Sequence, residues 1–449
     1  MIGLMPNKIL NIAINARKSA RILSVSPLEQ RNKALLEIAN SIDKYKRKIL
    51  KANQIDVQSA EKSKLNRVLL SRLKLNEEKI TDMLNGINIV ANLDDIIGKT
   101  LRTTELDTGL ELYQITCSVG VIGIIFESRA DALVQIASLC IKSGNSVIMK
   151  GGSEAKNSNK FLVKIIRESL SSVGLPADSV QLIETRADVK EMLKLDKYID
   201  VIVPRGSYEL VKFIKAHTRI PVIAHDEGIC HVYIDKSADI DNAINICYDA
   251  KCQYPAVCNA METLLVHKDV AERFLPLIAK RYENSMVRLL GDNETRKILR
   301  NIGRATEKDW RTEYNDLILS IKIVKDVDSA IEHINNYGSK HTDAIVTKDD
   351  AVAYKFINEV DSSSVMRNCS TRFSDGYRYG KGAELGISTS KLPPRGPVGL
   401  EGLVTYKYVL IGNGHVVADY TGKNPSAFLH RRLNKSFTMN RTSEAHNKK

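Results

Sequence analysis

The chain has no apolar run near the roughly 20 residues that a membrane-spanning helix needs. That argues against a helical membrane class, and no membrane partner is expected. The opening residues, Met1-Ile2-Gly3-Leu4-Met5-Pro6-Asn7-Lys8, lack a charged-then-apolar leader, so the expected location is the cytoplasm. Seven cysteines stand at 117, 140, 230, 247, 252, 258 and 369, and no pair has the C-x-x-C spacing of a zinc site. An odd set of thiols in apolar surroundings reads as reduced, and no metal is expected. Aromatic residues make up only 6%, with one tryptophan, and no basic stretch is interleaved with them as single-stranded nucleic acid would require. The common dinucleotide fingerprint G-x-G-x-x-G is also missing from every strand–helix turn.

What is present is the composition of an ordinary globular enzyme: 449 residues, 43% hydrophobic and 27% charged, enough for two or three cores. The net charge of +13 is the unusual bulk property. Residues 1–68 carry +9 of it on helical segments, and Gly412 to Lys449 carry +5. Such spacing describes solvated helix faces with mild steering of anions, so nucleic-acid binding is set aside. A non-catalytic nucleic-acid or scaffold protein is the rival reading that charge alone supports.

From Asn11 to about Asn92 apolar residues recur at three- and four-residue spacing, as in Leu35, Ile38, Ala39, Ile42 and Ile49, which predicts helices. Residues 99–117 alternate on either side of Asp107-Thr108-Gly109, a β-hairpin. Strands at Val119–Phe126, Ser146–Lys150, Val180–Ile183, Ile199–Val203, Pro221–Ala224 and His231–Ile234 then alternate with helices, which predicts a parallel α/β sheet. A second α/β stretch runs from about Asp235 to Asp361, followed by seven glycines between Gly376 and Gly402. Leu403–Ile411 alternates like an edge strand, and the tail beyond Gly414 shows no period and is expected to be flexible.

Cys258 lies on the turn-like stretch Tyr254-Pro255-Ala256-Val257-Cys258-Asn259, just before the apolar run Leu264-Leu265-Val266. A thiol presented there can accept an acyl group covalently. The competing reading is a buried structural cysteine, the usual fate of a free thiol.

Eight blocks, in order, resemble the gamma-glutamyl phosphate reductase family and the reductase half of pyrroline-5-carboxylate synthase. They include Gly120–Arg129, Ser143–Ala155, Pro204-Arg205-Gly206-Ser207, Gly228–Asp235, the Cys258 segment, Asp309–Tyr314, Ser370–Phe373 and Gly396–Leu403. The resemblance implies an aldehyde dehydrogenase-like fold: two Rossmann-like α/β domains plus an oligomerisation element made by the hairpin and the C-terminal strand. The expected boundaries are 1–98 with 118–234 for an NADP-binding domain and 235–390 for the catalytic domain. The oligomerisation element takes 99–117 and 400–412, and 415–449 forms a basic extension beyond the family's usual end. The two α/β domains would meet at a cleft.

The implied reaction is NADPH-dependent reduction of L-glutamyl 5-phosphate through a thioester on Cys258, a step towards proline, with Asn259 beside the nucleophile. Arg129 would bind the acyl phosphate. Lys150 and Ser153 would receive the adenosine ribose, where Ser leaves room for a 2′-phosphate that a Glu would repel. Gly206 and Ser207 would set N–H groups at a helix start beside the cofactor pyrophosphate, Arg205 would meet its 2′-phosphate or the substrate phosphate, and Glu313 the nicotinamide ribose. His225 falls where oxidising relatives carry a Glu that activates water. Arg372 or Arg395 would hold the α-carboxylate. A homo-oligomer is implied, and a glutamate 5-kinase is the partner that would supply the substrate. The chain departs from the family pattern at Ala130, Cys369, Lys381 and Pro393-Pro394. An aldehyde or other acyl-phosphate dehydrogenase of the same superfamily is the rival that these departures support.

Overall fold

In a computed structural model the chain is described at residues 8–65, 67–127, 130–224 and 227–438. It divides into two units: Met1–Ile202 with Leu400–Lys449, and Val203–Gly399.

The first unit opens with four helices where the sequence places them, Lys8–Leu23, Leu28–Lys62, Arg67–Leu73 and Glu77–Asn92. The long second helix buries Leu35, Ile38, Ile42 and Ile49 along one stripe, the spacing that a 3.6-residue turn brings to one face. The Asn76 side chain starts the fourth helix by accepting from Lys79 N. Strands β1 (Thr100–Asp107) and β2 (Leu110–Ser118) form the expected hairpin, closed by Gly109 at φ +75°, a conformation that side chains disfavour. Strands β3 (Val121–Phe126), β4 (Ser146–Lys150), β5 (Val180–Leu182) and β6 (Val201–Arg205) lie in the order β5-β4-β3-β6. The β3–β4 and β4–β5 pairs are parallel, and all six residues of β3 are buried. A strand covered on both faces needs such a continuous apolar run. Through β6 the chain passes into the second unit.

There β7 (Cys230–Ile234), β8 (Met261–His267), β9 (Arg288–Gly291), β10 (Gly303–Arg304), β11 (Ile318–Val324), β12 (Thr342–Val346) and β13 (Ser364–Arg367) build one seven-stranded sheet. Its order is β10-β9-β11-β8-β7-β12-β13, and every pair is parallel. This corrects two expectations. The domain boundary falls near residue 202 instead of 234, because β7 hydrogen-bonds between β8 and β12 and belongs to the second sheet. Pro221–Ala224 forms no strand. Two short antiparallel strands, β14 (Gly386–Ser388) and β15 (Gly396–Val398), complete the unit within the glycine-rich segment.

The chain then returns to the first unit as β16 (Val404–Ile411), antiparallel to β2. Over residues 412–438 the tail is not the unstructured extension expected. It folds back to place β17 (Arg431–Leu433) against β1, giving the order β16-β2-β1-β17. Polar matches hold it there, which hydrophobic periodicity does not register. Tyr420 Oη donates to Asp107 at 2.7 Å, Arg431 Nε to Glu105 at 2.7 Å and Lys435 Nζ to Glu111 at 2.6 Å. Phe437 packs edge-on to Tyr113 with centroids 5.2 Å apart. Among the described residues no helix is long and apolar enough to cross a membrane.

Candidate active site

Cys258 sits half-buried on a turn between the helix Ile240–Cys252 and β8, closed by the Ala260 N–H donating to the Val257 carbonyl at 2.9 Å. Three contacts fix this turn. The Cys230 thiol donates to the Cys258 carbonyl at 3.2 Å. Asn259 Nδ2 donates to the Ser374 carbonyl at 2.8 Å, and Thr371 Oγ1 donates to the Asn259 carbonyl at 2.7 Å. Gly228 lies against the turn so closely that a Cβ there would stand 2.2 Å from the Cys258 carbonyl oxygen and 2.4 Å from its Cα. Only a residue without a side chain permits that approach.

The electrostatics around the sulfur run opposite to the depressed thiol pKa expected for a nucleophile. Burial pushes the Cys258 thiol up to about 12, and the carboxylates of Glu384 and Glu313 push the same way. Its own backbone N–H and the Arg205 guanidinium oppose them. The resting thiol is therefore protonated at neutral pH.

Glu313 is half-buried, and burial raises its pKa while a hydrogen bond from the Gly228 N–H lowers it. Behind it lies a buried ion pair, Lys251 Nζ to Glu262 Oε2 at 2.6 Å, with both side chains wholly buried. Burial lifts Glu262 to about 7 in spite of the Lys251 charge. The two arginines offered for the substrate carboxylate separate. Arg372 is buried, its Nε donating to Gln253 at 3.0 Å, and it interacts electrostatically with Cys258. Arg395 is tied to Asp361 at 2.8 Å, in a cluster with Lys340 and Lys391.

Arg205 ends β6, and its Nη1 donates to the Glu384 carbonyl at 3.4 Å. Its charge works on the thiol against that burial. Gly206 is exposed, and Ser207 caps the helix Tyr208–His217 by accepting from Leu210 N at 3.4 Å. Arg129 and His225 lie outside the described residues.

In the first unit, Lys150 ends β4 half-buried, its pKa lowered by burial against the pull of Glu154. Ser153 is exposed on the turn that leads into the helix Lys156–Ser172. Asp56 anchors that helix start by accepting from the N–H groups of Asn157 at 3.0 Å and Ser158 at 2.8 Å. A groove of about 830 Å³ follows the same helix, lined by Lys160, Val163, Lys164, Leu182 and Glu184 among others. The strand-end lysine and the exposed hydroxyl turn are the residues here that could meet an adenosine group. Among the described residues no cluster of His, Cys, Asp and Glu could hold a metal ion.

Sequence reasoning did not single out Gly228 as a packing residue, Cys230 as a support or Glu384 at all. Only the Gly228-Ile229-Cys230 run just before a strand offered a local hint, and Glu384 offered none.

Residues 6–296 match the model of the aldehyde dehydrogenase family. A gamma-glutamyl phosphate reductase of Acetivibrio thermocellus is 55% identical over 431 residues, 96% of this chain and 100% of that protein. The Nostoc punctiforme enzyme of the same name is 53% identical over 425 residues, covering 95% and 98% of the two chains. The crystal structure of gamma-glutamyl phosphate reductase from Thermotoga maritima superposes with a TM-score of 0.90 at 41% identity, covering 91% of this chain and 100% of that one. The GapN glyceraldehyde-3-phosphate dehydrogenase of Methanocaldococcus jannaschii, solved in complex with NADP, shares the fold at a TM-score of 0.63 and 18% identity, covering 90% and 94%. The chain belongs to the aldehyde dehydrogenase family, in its gamma-glutamyl phosphate reductase branch.

Proposed function

We propose that the protein reduces L-glutamyl 5-phosphate to L-glutamate 5-semialdehyde and phosphate, using NADPH, on the route from glutamate to proline. The observation that carries this reading is Cys258 on a stapled turn, with the guanidinium of Arg205 acting on its sulfur. The Cys258 sulfur attacks the acyl carbon, the bond to the phosphate oxygen breaks, and the thiol proton leaves with the phosphate. Arg205, together with Arg129, receives the phosphate, and charge-assisted bonds from a guanidinium fork suit that group. Reduced nicotinamide, when bound, supplies the hydride that reduces the resulting thioester. The thiohemiacetal on Cys258 then collapses to the aldehyde and restores the thiol. Asn259 serves this chemistry by holding the turn through Ser374.

Lys150 and Ser153 are assigned to the adenosine ribose and Glu313 to the nicotinamide ribose. Preference for NADP(H) is supported by Ser153, which brings no carboxylate against a 2′-phosphate, and by Lys156 and Lys160 on the following helix. The substrate must come from a kinase acting on glutamate. Oligomerisation through β16 is supported by its outward Tyr406, Tyr408 and Leu410, each at least half exposed. The test is NADPH formation from pyrroline-5-carboxylate, phosphate and NADP. Wild type turns over, and Cys258→Ser falls to background. Turnover of simple aldehydes with NAD and none of this substrate would overturn the reading.

A further inference from the structure

Lys251 and Glu262 stand at the two feet of the turn that carries Cys258. Lys251 is the penultimate residue of the helix Ile240–Cys252, and Glu262 is the second residue of β8. Their side chains are wholly buried and meet at 2.6 Å, Nζ to Oε2. A buried ion pair is a poor way to hold a turn. Desolvation of the two charges offsets most of their attraction, and two apolar side chains of like volume would serve as well. The pair therefore asks for a second role, and the other carboxylate oxygen shows it. Glu262 Oε1 accepts from the main-chain N–H of Asn315 at 3.2 Å.

Asn315 belongs to the segment 312–317, which leads from the short helix Asp309–Arg311 into β11 and carries Glu313. Its backbone is left-handed, with φ +53°, a conformation that a residue other than glycine keeps only where its surroundings hold it. The Glu262 carboxylate supplies that hold. The neighbouring Tyr314 is tied by its hydroxyl, which donates to Asp309 at 2.9 Å and lies 2.7 Å from Ser320 Oγ. The Asn315 bond differs in kind, because it acts on the main chain itself, two residues after Glu313.

We propose that Glu262, paired with Lys251, is a positioning residue: it sets the main chain at Asn315 so that the Glu313 carboxylate is aimed at the nicotinamide ribose, and it ties that aim to the turn bearing Cys258. This rests on the reading of Glu313 as the group that holds this ribose. It also accounts for the buried charges. A carboxylate takes a main-chain N–H on one oxygen and an ammonium on the other, which no apolar pair can do. The acyl-accepting sulfur and the ribose contact then share one anchor, four residues along the chain from Cys258.

The test is a double-mutant cycle on NADPH binding, read from the cofactor's fluorescence at about pH 8, where Glu262 carries its charge. Dissociation constants are measured for wild type, Glu313→Gln, Lys251→Met/Glu262→Met and the triple variant. The methionine swap removes both charges together and folds with a melting temperature near that of wild type. It weakens NADPH about 10-fold, the scale of one hydrogen bond to a charged group. Binding of 2′,5′-ADP, which lacks the nicotinamide ribose, stays as in wild type. In the Glu313→Gln background the same swap weakens NADPH by less than about twofold, because Glu262 acts through Glu313. Glu262→Gln keeps an acceptor oxygen for Asn315, gives a smaller loss, and takes the place of the swap in the cycle should the swap fail to fold. Equal losses in both backgrounds, a matching loss for 2′,5′-ADP, or NADPH affinity in the swap within about twofold of wild type overturns the proposal. An unchanged affinity in Glu313→Gln sinks the reading of Glu313, and this inference with it.

Discussion

Replacing Gly228 by Ala adds one methyl group, and the structure says where it goes. The new Cβ would lie 2.2 Å from the Cys258 carbonyl oxygen, 2.4 Å from its Cα and 2.6 Å from its carbonyl carbon. Carbon atoms in contact settle at about 3.5–4.0 Å, so the shortfall at Cα exceeds roughly 1 Å. All three clashing atoms are main chain, and no rotamer change can relieve them. The nucleophile turn must move by about that distance, or the chain entering β7 must. Overpacking of this kind costs about 1–3 kcal/mol in stability. The catalytic cost is comparable, because a displacement of about 1 Å at a reacting group can lower turnover about 100-fold, roughly 2.7 kcal/mol. Gly228 has no positive φ, so an alanine there meets no backbone penalty and the effect isolates the contact. The assay pairs kcat in the reverse direction with the melting temperature and the rate of Cys258 alkylation by iodoacetamide. A folded variant with kcat about 100-fold lower is expected. A variant within about twofold of wild type would refute the claim that this contact positions the sulfur.

The buried pair behind Glu313 gives a second prediction. Lys251→Met leaves Glu262 buried without its cation and costs about 3–5 kcal/mol, read as a fall in melting temperature. The folded pKa of Glu262 is raised from 4.5 to about 7, so its contribution to stability is full below the lower value and lost as pH rises through the upper one. Glu262→Gln should therefore flatten the decline in melting temperature between about pH 4.5 and pH 7, and an unchanged slope would count against it. Removing residues 413–449 uncovers the β1 edge and deletes the contacts to Asp107, Glu105 and Glu111. An exposed edge recruits other chains. The truncated protein should melt lower and associate with rising concentration in sedimentation, and identical behaviour to full length would show that the tail is passive.

How much of this was legible in the sequence depended on whether the deciding interaction was local. The helices to Asn92, the 99–117 hairpin and the turn under Cys258 follow from periods and turn residues that the chain carries where they act. The short helix Arg186–Met192 was missed although its signal was local too, since Thr185 and Asp188 form a reciprocal capping box. The membership of β7 could not be read. Its apolar run suits any buried parallel strand, and nothing in Cys230–Ile234 names β8 and β12 as neighbours. The tail was misread for a related reason: its attachment to β1 rests on matched charges and one aromatic pair, which look like solvated residues until Glu105, Glu111 and Tyr113 are set opposite them.

The same distinction separates the parts of the site. Cys258 announces itself by its turn, but its charge state is decided by Glu384, Glu313 and Arg205, which arrive from three distant segments. A sequence can present a thiol by its local turn without fixing its charge state, which the distant segments decide. The thiol that chemistry needs ionised is held protonated by the fold.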